Sequence, residues 1–380
     1  MFSQRITMMR QQFFILLASM VVVLSGTIAY FAYHNLTYDR ARTRQIRHAG
    51  FVEKQTVLPD KSVINYGEGP NNGIPLLLIH GQQVSWQDYS QVLTELSSRY
   101  HVFAVDCYGH GGSSKNPDKY SAEAIGADLI WFLKNVIGQP AVVSGHSSGG
   151  LLAAWLAANA PDQVRGAVIE DAPFFSTEPG RAESTFAGKT FKIVHDFLNQ
   201  TDEPSYTAYN LEHNYMQTLF NKGGTDNWAR IVKNPALHYM QKHPGELPRI
   251  WYYPRSLGVN SIYDLTANMQ DGTGDYDLRF GETFYNYSWF KNFNQSETLA
   301  RITVPTTILH VAAPRTTAPS YYDSNGVLLA AMDEEDAAKA TSLIRGAELI
   351  DGFESQHDIH QDQPEAFTKA LTDFKWRVWP

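Results

Sequence analysis

Cysteine is almost absent from this chain of 380 residues, in which Cys107 stands alone. A single cysteine excludes an internal disulfide framework and any metal cluster built on several thiolates. Cys107 follows a predicted strand, where a small buried thiol is the ordinary interpretation. The scarcity of cysteine leaves the cellular compartment open.

Long basic runs, internal repeats and low-complexity tracts are also missing from the sequence. The formal net charge is −8, and an acidic chain without a basic patch is poorly suited to bind nucleic acid. We therefore expect no nucleic-acid partner. Hydrophobic residues make up 43% of the chain, enough to bury a large core in one domain with an insertion or in two domains.

An uncharged, mostly apolar run occupies residues 13–33. A helix of that length spans the hydrocarbon core of a bilayer, and Tyr30, Phe31 and Tyr33 near its end suit the membrane interface. The run lacks a clean small-x-small cleavage site, which favours a retained single-pass anchor over a cleaved signal peptide. Arginine counting would place the following domain in the cytoplasm. The N-terminal position of the run favours an extracytoplasmic domain instead, and this is our prediction.

The stretch 141–150 contains the motif Gly145-x-Ser147-x-Gly149. A β-branched run precedes the motif and a helical pattern follows it, which is the strand–turn–helix context of a nucleophile elbow. In so tight a turn the flanking residues must be nearly free of side-chain bulk, and the central hydroxyl is lifted out of the sheet. Ser147 is therefore the candidate nucleophile. Without this context the motif would be an ordinary Gly/Ser-rich turn.

Short apolar runs typical of buried strands alternate with helical patterns along most of the chain. The predicted strands lie at 75–79, 102–106, 141–144, 167–171, 304–311 and 347–350. The clearest helical patterns occupy 121–137 and 333–344. This alternation predicts a mainly parallel sheet covered by helices on both faces.

Four stretches of the sequence resemble the α/β-hydrolase family in residue type, order and spacing. They are His80-Gly81 with Trp86, Asp106-x-x-Gly109-His110-Gly111-x-x-Ser114, the elbow, and a C-terminal segment around His357. The chain is thus similar to serine hydrolases of the esterase and lipase type over residues 60–171 and 301–376. The resemblance implies an α/β-hydrolase fold, a mainly parallel sheet flanked by helices, with a helical cap insertion.

The domain organisation follows from this resemblance. We predict a membrane anchor and linker at 1–45, the hydrolase core at 46–171 and 301–380, and the cap at 172–300. The cap segment is rich in Tyr, Trp and Phe, and in this family such an insertion closes over the active site and shapes the acyl or alcohol pocket. Its aromatic residues indicate an apolar substrate as a class. A purely structural helical subdomain is the alternative.

A serine hydroxyl is a poor nucleophile at neutral pH and needs a neighbouring base. The resemblance assigns that role to His357, in the loop after the last predicted strand, and requires its imidazole to lie within hydrogen-bonding reach of Ser147. The backbone N–H groups of Ser148 and Gln82 are the predicted oxyanion hole. Three further residues of the family pattern are expected to hold loops, namely His80, Asp106 and His110.

The carboxylate that orients the base is the open member of the predicted triad. The usual position for it, after the strand that ends near Val311, reads Ala313-Pro314-Arg315 and offers no acid. Asp171, at the end of the preceding strand, is the predicted acid, and Asp323 is the alternative. The weaker candidates are Glu170 and Asp351.

A second histidine, His360, forms a His-x-x-His pair with His357. Such a pair can bind zinc when a third ligand is present, but the sequence offers none at a sensible distance. We therefore expect no metal and no cofactor, and we expect His360 to hydrogen-bond locally.

Together these residues predict a membrane-anchored serine hydrolase that cleaves carboxylic esters of apolar small molecules or lipids through an acyl-serine intermediate. The serine at the elbow disfavours dehalogenase and epoxide-hydrolase chemistry, for which relatives carry aspartate. Hydrolysis of carbon–carbon bonds or amides by the same machinery is one alternative. A non-catalytic binding protein of the same fold is another.

Overall fold

The computed structural model describes residues 2–221, 223–269, 275–313 and 320–378. Within these residues one sheet contains β1 (Val52–Val57), β2 (Val63–Glu68), β3 (Ile74–Ile79), β4 (Tyr100–Val105), β5 (Ala141–His146), β6 (Val164–Glu170), β7 (Thr306–Val311) and β8 (Glu348–Phe353). Their order across the sheet is β1-β2-β4-β3-β5-β6-β7-β8. β1 and β2 pair antiparallel, as do β2 and β4, and the remaining pairs are parallel.

Helices connect most of the strands. They are α1 (Phe2–Leu36), α2 (Tyr38–His48), α3 (Leu93–Ser97), α4 (Ala122–Phe132), α5 (Ser148–Asn159), α6 (Phe186–Leu198), α7 (Tyr206–His213), α8 (Met216–Phe220), α9 (Asn234–Lys242), α10 (Val259–Asn268), α11 (Leu278–Tyr285), α12 (Gln295–Ala300), α13 (Glu334–Leu343), α14 (Ile359–Asp362) and α15 (Pro364–Val378). A 3₁₀ helix spans Trp86–Gln91. The predicted mainly parallel sheet flanked by helices is confirmed.

The core lies on both faces of the sheet. Successive side chains of a strand point to opposite faces, so Leu77 and Ile79 of β3 join one apolar cluster, while Leu76 and Leu78 join the other. All six residues of β3 are buried, because helices cover both faces of a parallel sheet. The near-continuous apolar runs in the sequence reflect this double burial.

Two features at the N-terminal side differ from the sequence prediction. The segment predicted as a linker up to residue 45 carries α2, which ends at His48. The antiparallel pair β1 and β2 was not predicted. Five of the six residues of β1 are exposed, so this strand has no apolar periodicity by which to recognise it.

The residues of α1 include an apolar stretch, Gln12–Leu36, whose most apolar 18 residues have a mean hydropathy of 2.2 and are not buried in the protein. By length and composition it can cross a membrane, as the prediction for 13–33 requires, although an N-terminal signal sequence has the same properties.

The chain divides into two compact units. One contains Met1–Ala41 and Asp226–Asp264, and the other contains Arg42–Thr225 and Leu265–Pro380. The whole sheet belongs to the second unit. The segment 226–264, which falls inside the predicted cap, groups with α1, and the predicted domain boundaries stay predictions.

The parallel strands β3, β5, β6, β7 and β8 all end at the same edge of the sheet. In open α/β sheets this carboxyl edge is where ligands bind. The residues that follow β3, β5, β6 and β8 include the predicted oxyanion-hole and triad residues, namely Gln82, Ser147, Ser148, Asp171 and His357. The alternative acid Asp323 is not among them.

Candidate active site

Ser147 occupies a strained turn between β5 and α5. Its backbone angles are φ 54° and ψ −122°, a conformation that residues with a side chain adopt rarely and mostly at functional sites. A Cβ atom on Gly145 would lie 2.0 Å from the carbonyl oxygen of Gly149, and one on Gly149 would lie 2.1 Å from that of Ile79. Both flanking positions therefore require glycine, as the elbow motif predicts.

The loop after β3 passes directly against this elbow. A Cβ atom on Gly81 would lie 3.0 Å from both the Cβ of Ser147 and the Nδ1 of His146. Among the described residues, the backbone N–H groups of Gln82 and Ser148 have no hydrogen-bond partner. Ser148 also begins α5, where the helix dipole is positive. These two groups are thus available to stabilise an oxyanion.

Buried polar contacts hold the Gly81 loop. His80 donates through Nδ1 to the carbonyl oxygen of Gly81 at 2.5 Å and accepts the N–H of Cys107 through Nε2 at 3.0 Å. The carboxylate of Asp106 accepts the backbone N–H of Trp86 at 2.7 Å. His80 and Asp106 therefore connect loops, the role that the sequence predicted for them.

The side chain of Gln82 is held by Tyr276. Its Oε1 accepts the hydroxyl of Tyr276 at 2.7 Å, and the ring of Tyr276 packs edge-on against His110 at 4.8 Å. His110 donates through Nδ1 to the carbonyl oxygen of Tyr108 at 3.0 Å. Burial keeps the pKa of His110 well below its ordinary value, so this ring is a neutral packing element.

The carboxylate of Asp171 receives two imidazole groups. His357 donates through Nδ1 to Oδ2 at 2.7 Å, and His310 donates through Nδ1 to Oδ1 at 3.1 Å. Asp171 follows β6 with a positive φ of 39° and is fully buried, while the side chain of His357 is 34% exposed. Both oxygens of this buried acid are therefore satisfied.

The other predicted acid lies elsewhere. The carboxylate of Asp323 accepts the hydroxyl of Tyr215 at 2.6 Å and the backbone N–H groups of Asn325 and Val327 at 2.8 and 2.9 Å. It therefore closes its own turn. The structure brings Asp171, and not Asp323, to His357.

The predicted base, His357, lies beside the elbow. The ring of His357 is 4.5 Å from that of His146, the residue immediately before Ser147, at an angle of 53°. The hydroxyl of Ser147 forms no hydrogen bond with any described residue, including His357. In resting enzymes this contact is often long and tightens only when substrate binds.

The hydrogen bond between Asp171 and His357 shifts the pKa values of both groups. Burial opposes the charge on each, but the hydrogen bonds from His310 and His357 lower the pKa of Asp171 below its ordinary value. Burial likewise opposes the charge on His357, but Asp171 raises the pKa of this imidazole to about 9. His146 is different, because burial, together with the neighbouring His357, lowers its pKa to about 3. His146 is therefore neutral.

A buried ionic cluster, missed by the sequence analysis, lies behind the candidate triad. His360 donates through Nδ1 to Glu170 at 2.9 Å and through Nε2 to Asp88 at 3.1 Å. These partners are 190 and 272 residues away along the chain, so the expectation that His360 bonds locally is wrong. Although burial disfavours its charge, the two carboxylates raise the pKa of His360 well above its ordinary value. The ring is an imidazolium between two carboxylates.

This cluster connects three segments of the site. Glu170 immediately precedes Asp171, and His360 follows His357 by three residues. Asp88 lies in the 3₁₀ helix after the Gly81 loop. The sequence did contain a signal for part of this cluster. Two consecutive carboxylates end a buried strand, and a second histidine follows His357. No sequence pattern indicated that Asp88 belongs to the cluster.

Three members of this region could hold a metal ion. Asp88, His146 and His360 each place a ligand atom within 4.8 Å of the others. However, both nitrogens of His360 already donate to carboxylates, so a metal ion would have to displace the proton shared with Asp88. The expectation of no metal stays a prediction.

Two surface clefts of about 540 and 550 Å³ lie away from these residues. One is lined around Phe290–Arg301 and the other by residues of 91–99 and 364–372. Neither includes Ser147 or His357. The acyl pocket expected under the cap therefore stays a prediction.

The model of the alpha/beta hydrolase family matches residues 76–370. This match covers most of the chain, from within β3 to α15, and includes the residues of the candidate site. The chain belongs to the alpha/beta hydrolase family.

Individual relatives are more distant. The chain is 34% identical over 142 residues to the pimeloyl-[acyl-carrier protein] methyl ester esterase of Aliivibrio salmonicida, covering 36% of this chain and 49% of the esterase. It is 33% identical over 202 residues to the sn-1-specific diacylglycerol lipase of Mus musculus, covering 49% of this chain and 64% of the lipase. The chain spans 28% to 64% of the length of such curated relatives.

Among solved structures, the chain resembles a membrane phospholipase A described as a bacterial virulence factor. The TM-score is 0.57 at 19% identity, and the match covers 97% of this chain and 99% of the other. At that identity the likeness shows a shared fold.

Proposed function

We propose that this chain is a serine hydrolase that cleaves carboxylic esters through an acyl-serine intermediate. Ser147 is the nucleophile, His357 the general base and Asp171 the acid that orients it. The observation that carries the proposal is the 2.7 Å hydrogen bond from His357 to Asp171, formed beside a strained serine elbow. An acid, a base and a half-buried serine hydroxyl at one sheet edge are the parts that acyl transfer needs.

The first half of the reaction forms the acyl-enzyme. Because Nδ1 of His357 carries the proton donated to Asp171, its Nε2 is free to take the proton of Ser147 as Oγ attacks the ester carbonyl. The N–H groups of Gln82 and Ser148 stabilise the oxyanion that forms. The tetrahedral intermediate then expels the alcohol, which receives the proton from His357.

The second half releases the acid. Water gives a proton to His357 and attacks the acyl-serine, and the same two N–H groups hold the second oxyanion. Collapse of this intermediate returns the proton to Ser147 and frees the carboxylic acid. The negative charge of Asp171 stabilises the imidazolium in both halves.

We further propose that the substrates are esters of apolar small molecules or lipids. The named relatives include an esterase and a diacylglycerol lipase. The apolar helix α1 supports a retained single-pass membrane anchor. That the catalytic domain lies on the extracytoplasmic side is part of the proposal and rests on the N-terminal position of the helix alone. An enzyme held at a bilayer has lipid esters at high local concentration.

The substrate class is tested with the full-length protein in detergent, on p-nitrophenyl esters of increasing acyl length and on the matching anilides. We expect ester hydrolysis that increases from acetyl to medium-length acyl groups, because an apolar pocket gains transition-state binding with each methylene. Ser147→Ala should lose this activity by at least about 10⁴-fold.

Two results would count against the proposal. Anilide hydrolysis that exceeds ester hydrolysis would make the protein an amidase. A folded protein without any activity that depends on Ser147 would support the non-catalytic binding protein.

A further inference from the structure

The end of the apolar helix α1 is attached to the segment 249–251 of the same compact unit. The side chain of Asn35, which is buried, donates to the carbonyl oxygen of Trp251 at 2.9 Å. Arg249 donates through Nη1 to the carbonyl oxygen of Leu36 at 3.1 Å. The last carbonyl groups of a helix lack partners within it, and Arg249 supplies one. The segment is thereby fixed at the level where α1 ends.

The residues around position 251 are held by further polar contacts. The side chain of Asn260 bonds both the N–H and the carbonyl oxygen of Ile250, at 2.9 and 3.0 Å. The hydroxyl of Tyr253 donates to the carbonyl oxygen of Ile231 at 2.7 Å. Residues on both sides of Trp251 and Tyr252 are therefore anchored within the unit.

Trp251 and Tyr252 themselves point outward. Their side chains are 48% and 54% exposed, and their rings meet edge to face at 5.4 Å. Leu247 and Leu257 on the same segment are 40% and 43% exposed. A concentration of large apolar side chains on the surface of one hydrogen-bonded segment marks an interaction site.

We propose that Trp251 and Tyr252 enter the headgroup interface of the bilayer that α1 crosses. Tryptophan and tyrosine concentrate at membrane interfaces, because they combine an apolar ring with a polar group. The hydrogen bonds to Asn35 and Leu36 place these two rings at the depth where such side chains are favoured. Segment 247–257 is then a membrane-contact surface continuous with the anchor. The inference rests on the proposed anchor.

The depth of these residues is measured with single cysteine labels on the full chain in phosphatidylcholine and phosphatidylglycerol vesicles. Cys107 is buried and stays unlabelled in the folded protein. An environment-sensitive fluorophore is attached at Trp251→Cys, Tyr252→Cys and, as a matched control, Gln241→Cys, an exposed polar position of α9. We expect labels at 251 and 252 to shift to the blue and to lose intensity to lipids with a headgroup nitroxide, more than to lipids with a deep nitroxide. The label at 241 should remain aqueous.

A label at Val22→Cys, in the exposed middle of α1, separates this inference from the anchor. If deep nitroxides quench the label at position 22 while the labels at 251 and 252 remain aqueous, the inference is overturned and the anchor is retained. An aqueous label at 22 overturns both. The labels at 251 and 252 could also shift to the blue only at high protein density and remain unquenched by nitroxide lipids. That result overturns the inference too, since a second copy of the chain would then cover the surface.

Discussion

Replacing Asp171 with asparagine should lower kcat for ester hydrolysis by about 10⁴-fold, the loss typical of a triad whose acid becomes an amide. The Asn side chain can donate to Nδ1 of His357, which leaves the proton on Nε2, facing the serine. That tautomer cannot accept the proton of Ser147. Steady-state kinetics of the purified Asp171→Asn variant on the best ester measure the loss.

Asp323→Asn is the matched control, because it makes the same chemical change at the other predicted acid. Its carboxylate bonds Tyr215 and its own turn, so we expect kcat within a few-fold of the wild-type value. Equal losses in the two variants would contradict the assignment of Asp171.

The pH profile adds a second readout for Asp171→Asn. His357 must be neutral to act as base, so kcat/KM rises with pH through the pKa of this group. Burial opposes the charge on His357, but Asp171 raises its pKa from 6.5 to about 9. Because the side chain is 34% exposed, solvent weakens the pairing, and we expect the rising limb between these two values. Loss of the Asp171 charge should move the limb to lower pH, and an unmoved limb would show that this carboxylate does not face the base.

Replacing His360 with alanine should lower the free energy of unfolding by about 3–5 kcal/mol, the usual cost of removing one partner from a buried ion pair. The imidazolium neutralises Glu170 and Asp88, and the three side chains are at most 2% exposed. Without it two carboxylates would remain close together in a site with little water. Urea denaturation of the full-length protein in detergent measures the change.

His243→Ala is the control for this substitution. His243 lies 3.8 Å from Glu246, and the two side chains are 47% and 63% exposed. Surface pairs of this kind contribute at most about 1 kcal/mol. If both variants lost a similar amount of unfolding free energy, the buried cluster would contribute no more to stability than a solvated ion pair.

The parts of the site that the sequence predicted are those encoded by local patterns. The elbow needs only a strand, two glycines around Ser147 and a helix, all within one short stretch. His357 could be placed because it follows the last apolar run of an alternating pattern. Both signals are visible without knowledge of distant contacts.

The acid and the buried cluster depend on contacts between distant parts of the chain. Asp171 and His357 are 186 residues apart, and the sequence could only reduce the acid to two main candidates. Glu170 was considered as an alternative acid, whereas in the fold it pairs with His360. No local pattern shows which of two adjacent carboxylates faces which histidine.

The aromatic residues of 172–300 show a similar limit. From the sequence they indicated an apolar pocket, yet Trp251 and Tyr252 are exposed on a segment that groups with α1. The aromatic content of this segment indicates only that its side chains favour apolar surroundings. Whether those surroundings are the substrate, the protein core or the membrane is decided by how the whole unit packs.

The central claim is that Ser147 is a nucleophile activated by His357. It is tested most directly by incubating the full-length protein with a fluorophosphonate probe and locating the adduct by mass spectrometry of the digested protein. The account predicts one adduct, on the peptide that contains Ser147, absent in Ser147→Ala and formed far more slowly in His357→Ala. A folded wild-type protein that remains unlabelled, or an adduct that persists in Ser147→Ala, would contradict it.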